Sequence, residues 1–252
     1  ILILSSCNQL KLSDAREYLV NGEYNSAAES YQKLYRETSR DQQVIRGIIS
    51  HEMAEANRKL NRTSRAQISY RNAIRFGYPD TLGYLYYAQM LHRNGEYSSA
   101  LDAYNEYLAL CPNSIAANNG IKGVRKSMKW NKKPTRYSIN FVDFINSNGS
   151  DFSPMLTSNG NAIYFTSSRD DSTGEIKSSI TGQKFNDIYI TETNVAGEWL
   201  KPVKLESEIN TEFDEGTPSF TSNGRYMFYT YSKYDEKQQT DRKSTRLNSS
   251  HI

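Results

Sequence analysis

Histidine and cysteine are scarce in this chain, at three and two among 252 residues. Two cysteines cannot build a disulfide framework. Cys111 lies between Leu110 and Pro112, where a helix end favours a small apolar residue, and no histidine or base motif adjoins it to make a nucleophile. The phosphate-loop, HExxH, GxSxG and CxxC patterns are all absent. The acidic pairs Asp170-Asp171 and Asp214-Glu215 lack the second ligand cluster a metal needs. The expectation is no catalytic residue, no cofactor and no metal. No apolar run approaches the ~20 residues of a membrane span. Charge of one sign is also lacking: the net charge is +3, which gives no electrostatic case for nucleic acid.

The two ends read differently from the rest. Asp241 to His251 matches what one reading frame of a common sequencing adapter encodes, so residues 241–252 are expected to be an artefact and native chain to continue past Thr240. That stretch carries Arg242, Lys243 and Arg246 against Asp241, which leaves the remainder nearly neutral. At the start, Ile1-Leu2-Ile3-Leu4 reads as the tail of an apolar signal segment. It runs into Leu4-Ser5-Ser6-Cys7, which resembles a lipobox. Residues 1–7 are therefore expected to be a signal-peptide remnant, with Cys7 the acceptor for diacylglycerol. Acyl burial contributes about 0.8 kcal/mol per CH₂, so several chains hold a folded domain on a membrane.

What is abundant is repetition. Ala15, Tyr18, Gly22-Glu23-Tyr24, Ala27, Tyr31 and Leu34 form one helix-turn-helix pattern. Tyr84, Ala88, Leu91, Gly95-Glu96-Tyr97, Ala100, Tyr104, Tyr107 and Pro112 repeat it. Ala54, Leu60-Asn61, Ala66, Tyr70, Ala73 and Pro79 form a weaker middle copy. Asn61 and Gly95 are 34 residues apart, and Gly22 and Asn61 are 39 apart, so the first junction carries five extra residues. Gly22, Asn61 and Gly95 end each first helix, where a left-handed residue is needed. Ala27, Ala66 and Ala100 allow close helix crossing, and Tyr31, Tyr70 and Tyr104 lie four residues on, on the same face. Pro79 and Pro112 are read as stops to the second helices. Ser114 to Lys129 reads as a further, capping helix. The pattern resembles the tetratricopeptide repeat (TPR) family, and the TPR domain is placed at residues 8–129. The resemblance implies a groove lined by the first helices of each pair. Carried onto this chain, the groove positions are Arg16, Leu19, Glu55, Arg58, Gln89, His92 and Arg93, with arginines suited to partner carboxylates.

Trp130-Asn131-Lys132-Lys133-Pro134-Thr135-Arg136 is a basic, proline-containing break, and residues 130–137 are read as a linker. Beyond it the period becomes two. Residues 139–141, 162–165, 187–190 and 225–229 read as strands, separated by turns at Asn159-Gly160, Ala196-Gly197 and Asn223-Gly224. Residues 145–168 align without gaps on 209–232, with nine of 24 positions identical. The offset of 64 exceeds a usual propeller blade, which places a polar surface loop at Arg169 to Asn186. The block, with Trp199, Pro202, Leu205, Ile209-Asn210, Asp214-Glu215 and Pro218 joining the copies, resembles the WD40-like PD40 propeller repeats. Residues 138–240 are therefore read as a partial β-propeller, with unpaired strand edges near Thr240.

The fold class expected is multidomain, a TPR α-solenoid followed by a partial PD40 β-propeller. The order lipobox, TPR, PD40 is similar to OmpA-family envelope lipoproteins associated with type IX secretion and gliding. That resemblance implies a non-enzymatic scaffold in the outer membrane, facing the periplasm. It implies envelope or secretion-system proteins as partners, and peptidoglycan as a further partner through an additional C-terminal domain. Two rivals remain at this point: a hydrolase with a regulatory propeller, as in the prolyl oligopeptidases, and a lipoprotein sensing glycan or peptide at the propeller mouth.

Overall fold

The computed structural model describes residues 11–133, 136–206, 208–235 and 240–246. Cys7 lies outside them. The chain divides into two compact units, residues 1–138 with 179–181 and residues 139–178 with 182–252.

The first unit holds seven helices: α1 (Leu12–Val20), α2 (Tyr24–Glu37), α3 (Gln43–Lys59), α4 (Thr63–Arg75), α5 (Leu82–Arg93), α6 (Tyr97–Leu110) and α7 (Ile115–Lys132). They form a TPR-like α-solenoid. Its core is divided into three clusters, each shared by two paired helices and the first helix of the next pair. Ala15, Ala27, Tyr31 and Ile49 join α1, α2 and α3. Ala54, Ala66, Tyr70 and Met90 join α3, α4 and α5. Leu91, Ala100, Tyr104, Ala117 and Val124 join α5, α6 and α7. Ala27, Ala66 and Ala100 are fully buried, as are Tyr31 and Tyr70, and Tyr104 nearly so. No helix pair can bury its apolar face alone, and stacking does it.

The three turns within the pairs are superposable in their bonding. Gly22 (φ 81°), Asn61 (φ 59°) and Gly95 (φ 80°) are all left-handed. The following residues Glu23, Arg62 and Glu96 donate N–H back to Tyr18, Asn57 and Leu91 carbonyls at 2.8, 2.9 and 2.9 Å. This is the Schellman closure, which satisfies the carbonyls a helix end leaves over. The second helices end differently from the sequence reading. Gly77 (φ 70°), not Pro79, closes α4, with Tyr78 N–H donating to Ala73 O at 3.0 Å. Proline two residues beyond only prevents resumption. The five extra residues lengthen α3, which has 17 residues against 12 in α5. The 38–42 loop before it is held by Arg46, whose guanidinium donates to Thr38 O at 2.6 Å and lies 4.0 Å from the Tyr35 ring centre. Ser114 caps α7, its Oγ accepting the Ala117 N–H at 3.2 Å. That helix runs on to Lys132, so the first residues of the expected linker are helical. Gly120 on α7 is also required by packing, since a Cβ there would stand 2.3 Å from the Tyr104 ring.

The second unit holds two antiparallel sheets. The first has β1 (Asp151–Leu156), β2 (Ala162–Ser167), β3 (Asp187–Glu192) and β4 (Val203–Lys204) in that order. The second has β5 (Asp214–Phe220), β6 (Met227–Asp235) and β7 (Thr240–Arg246). Neither sheet closes on itself. Between them lies one apolar cluster, with Ala162, Tyr164, Ile188, Met227 and Tyr229 at its centre.

Three strand expectations need correction. Residues 139–141 are not a strand, although their period is two. β1 and β5 are strands that the sequence reading omits, because Pro154 and Pro218 argue against ladder pairing. Both tolerate proline through a bulge, at Phe152/Met155 and at Gly216/Ser219. The preceding residues Ser153 (φ 51°) and Thr217 (φ 52°) are left-handed in both copies. A bulge disposes of the N–H that proline lacks. β7 pairs along β6 from Thr240 opposite Asp235 to Arg246 opposite Tyr229, and β7 is itself the outer strand of this open sheet. Six of its residues come from the stretch read as adapter-encoded.

Candidate partner-binding face

All seven residues singled out for the groove lie on first helices: Arg16 and Leu19 on α1, Glu55 and Arg58 on α3, and Gln89, His92 and Arg93 on α5. Spacings of three and four put each helix's members on one face. The structure then separates their roles.

Arg16 is half-exposed and grips Glu52 of α3 with two nitrogens, Nε at 3.1 Å from Oε2 and Nη2 at 2.7 Å from Oε1. This fork geometry is the strong form of the ion pair. The hydrogen bond to Glu52 raises the Arg16 pKa above its ordinary value. Arg58 binds Glu55 one turn away, donates to the Tyr70 hydroxyl at 3.0 Å and lies 4.2 Å from the centre of the Tyr86 ring. Burial works against its charge, but the Glu55 bond and the neighbouring Tyr70 and Glu55 outweigh that and raise its pKa. Tyr70 also donates to Glu55, and burial first, then that bond, raises the Tyr70 hydroxyl. Arg93 is exposed and donates to Asn61 at the end of α3. His92 faces Ser127 of α7 at 3.3 Å, and burial lowers its pKa. Gln89 is half-buried, and its side-chain amide makes no hydrogen bond among the described residues. Leu19 packs on the first apolar cluster and serves the core.

Each of the three arginines therefore already has an internal partner. Side chains bridge α1 to α3, α3 to α5 and α5 to α7, so the first helices are tied laterally along one line. Sequence reasoning missed Glu52, Tyr70, Tyr86 and Asn61 as members of this network. Tyr70 was assigned to core packing alone, and its buried ring does pack there while its hydroxyl serves the polar side. Nothing local in the sequence pairs Arg16 with Glu52, 36 residues on.

In the second unit three of the four acidic-pair carboxylates accept hydrogen bonds from the chain. Asp214 accepts the Asn186 main-chain and side-chain N–H groups at 2.8 and 2.7 Å. Glu215, 1% exposed, accepts from Thr211 N–H at 3.0 Å and Oγ1 at 2.6 Å. Asp151, its equivalent in the first copy, accepts from Ser147 in the same manner at 2.6 and 2.9 Å. Asp171 is exposed and accepts the Tyr189 hydroxyl at 3.0 Å. The loop after Arg169 is not purely a surface feature either. Ser172 is buried, and the Arg169 guanidinium lies 4.6 Å from the Tyr189 ring centre while donating to Asp151 at 3.0 Å. Among the described residues no group of three or more His, Cys, Asp or Glu side chains is placed to hold a metal ion. None of the described helices is long and apolar enough to cross a membrane.

A tetratricopeptide repeat family model matches residues 81–120, which span α5, α6 and the start of α7. No curated protein matches the chain. Among solved structures, the first TPR domain of Spaghetti (RPAP3), bound to the HSP90 peptide SRMEEVD, is 19% identical with a TM-score of 0.39, covering 46% of this chain and 91% of that one. The first TPR domain of human RPAP3 is 17% identical with a TM-score of 0.41, covering 49% and 93%. The Sgt2 TPR domain from Aspergillus fumigatus is 16% identical with a TM-score of 0.40, covering 54% and 87%.

Proposed function

We propose that this chain is a non-enzymatic adaptor that holds a protein partner on the first-helix face of its TPR-like unit. The observation that carries the reading is the cross-linked row of polar side chains on α1, α3 and α5, with Arg16 and Arg93 exposed and the Gln89 amide uncommitted. Because carboxylates of the chain already neutralise Arg16 and Arg58, the face fits a mixed polar peptide or helix better than a strongly acidic one. A partner carboxylate would have to displace Glu52 or Glu55, and losing a charge-assisted bond costs roughly 1.5–3 kcal/mol.

We further read the two sheets as consecutive blades of a PD40-type propeller. Supporting this, the 64-residue repeat carries matching bulges, matching carboxylate caps and matching Asn-Gly turns in both copies. Together with the lipobox-like start, this supports an outer-membrane lipoprotein facing the periplasm. There it would dock envelope or secretion-system proteins and reach peptidoglycan through a further domain of the OmpA type.

A photo-crosslinking residue placed at Gln89 tests the adaptor role in cells. Crosslinks to a discrete protein from Gln89, and not from exposed Arg71 on α4, are expected. Equal capture from both positions, or none from Gln89, would reject the face. The lipid anchor is tested separately by labelling with a palmitate analogue, which is expected to mark the wild type and not Cys7→Ala.

A further inference from the structure

We infer that the exposed side of α7 is a docking surface for an anionic phospholipid membrane. The inference depends neither on the first-helix face nor on the lipobox-like start.

Residues 115–133 hold Lys122, Arg125, Lys126, Lys129, Lys132 and Lys133, and no aspartate or glutamate. With six of the 31 basic residues here, the rest of the chain has 25 basic against 28 acidic residues. The excess of positive charge is therefore concentrated in this one element. Steps of three and four set the six side chains along one side of the helix. All six are exposed. From Lys122 to Lys133 they extend about 16 Å along the axis. Ala117, Ile121 and Val124 form the buried face, in the cluster shared with α5 and α6. None of the six cations forms a salt bridge among the described residues. Lys126 lies over the Trp130 ring, its Nζ 4.7 Å from the ring centre, and Trp130 is 55% exposed.

The needs of the fold do not account for this pattern. A terminal helix requires a polar outer face, but charges of both signs would supply it. Cations favour a helix C-terminus, which covers Lys129 and Lys132 in the last turn and leaves Lys122, Arg125 and Lys126. Lys122 with Lys126, and Arg125 with Lys129, are like charges four residues apart, which destabilise a helix. Anions from outside the chain would relieve that repulsion.

The make-up of the face selects a lipid surface. Five of the six cations are lysines, point charges on flexible stems, where arginine forks would fit a discrete carboxylate. A row of such charges suits a dense, fluid array of headgroups, in which each cation near the surface strengthens partition about fivefold. Trp130 adds an indole, whose apolar body and N–H suit the boundary between headgroups and acyl chains.

The test uses the full chain carrying Cys7→Ala, so that no acyl chain contributes, and floats it with vesicles. Binding is expected to vesicles of equal parts phosphatidylglycerol and phosphatidylcholine, and not to phosphatidylcholine alone. High salt is expected to abolish it by screening. Lys122→Gln with Lys126→Gln and Lys129→Gln is expected to weaken binding about a hundredfold, with helicity at 222 nm kept because glutamine is a good helix former. Arg36→Gln with Arg40→Gln and Arg71→Gln removes the same charge from exposed positions outside α7 and is expected to leave binding nearly intact. Equal effects of the two triple variants, unchanged binding of the α7 variant, or equal binding to neutral vesicles would overturn the surface. Trp130 is read in a Trp199→Phe background, which leaves it the one tryptophan. Its emission is expected to shift to the blue on anionic vesicles. Binding with unshifted emission, or tighter binding of a polyglutamate peptide than of the vesicles, would overturn the assignment to lipid.

Discussion

Glu215 and Asp187 are buried acids in the sheet unit, at 1% and 0% exposure. Burial lifts Glu215 from 4.5 to about 7, and the nearby charge of Asp187 adds to the rise, against the two donors of Thr211. Burial raises Asp187 as well, and its Oδ1 is buried without a partner among the described residues. An acid whose pKa is higher in the folded chain holds its proton there longer than in the unfolded chain. Its stabilising effect is complete below the unfolded value of 4.5 and is lost as pH rises toward about 7. Asp151 works the other way. Burial alone would raise it, but bonds from Ser167, Ser147 and Arg169 hold it below 3.8, so its contribution is lost only in stronger acid. The window from 4.5 to about 7 therefore belongs to the raised acids. The resistance of the sheet unit to denaturant, read by amide exchange in β2 and β5, is expected to fall from about pH 5 to about pH 7.5. Glu215→Gln is expected to flatten that fall. A Gln variant with the wild-type slope would show that burial does not govern this carboxyl.

At the scale of elements, the turn at Asn61 is the informative case, because it takes a left-handed residue without glycine. Its φ of 59° matches Gly22 and Gly95 in sign, and its Oδ1 also receives the Arg93 bond. Left-handed backbone costs a residue with a Cβ roughly 1–2 kcal/mol, and asparagine is the residue type that most often bears it. Asn61→Ala is expected to lower the unfolding free energy of the helical unit by about that amount. Asn61→Gly is expected to be nearly neutral, since relief of strain offsets the lost Arg93 bond. Urea melts at 222 nm decide this, and equal losses in both variants would reject the backbone argument. The same contrast shows what could be read from sequence. Helix ends, close-crossing alanines and interface tyrosines stand at fixed intervals and carry local chemistry, so the solenoid was legible. β1 and β5 were not, because their bulges make proline compatible with pairing, and a bulge is a property of two strands together. Gly120 and Arg46 escaped notice for the same reason, one accommodating a ring from α6 and the other holding a loop through carbonyls. On the candidate face, the helix assignment of each residue was legible. The Arg16–Glu52 and Arg58–Tyr70 partnerships were not, because stacking rather than sequence proximity creates them.

At the scale of the whole molecule, the two units bury their apolar groups by different plans. In the helical unit three clusters overlap through shared first helices, so each helix pair is held from its neighbours and the array adds stability pair by pair. The sheet unit relies on one cluster between two open sheets. Large exposed side chains surround it: Ile139 and Phe141 upstream, and Leu156 and Val203 at the sheet margins. Open edges also leave main-chain groups to water, where opening is easiest. Two separate transitions are therefore expected in urea. Amide protection in β2, β3 and β5 should vanish first, while the helical signal at 222 nm persists to higher denaturant. One coincident transition for both signals would mean that the sheets draw their stability from the helices, and the plan of two independently cored units would fall.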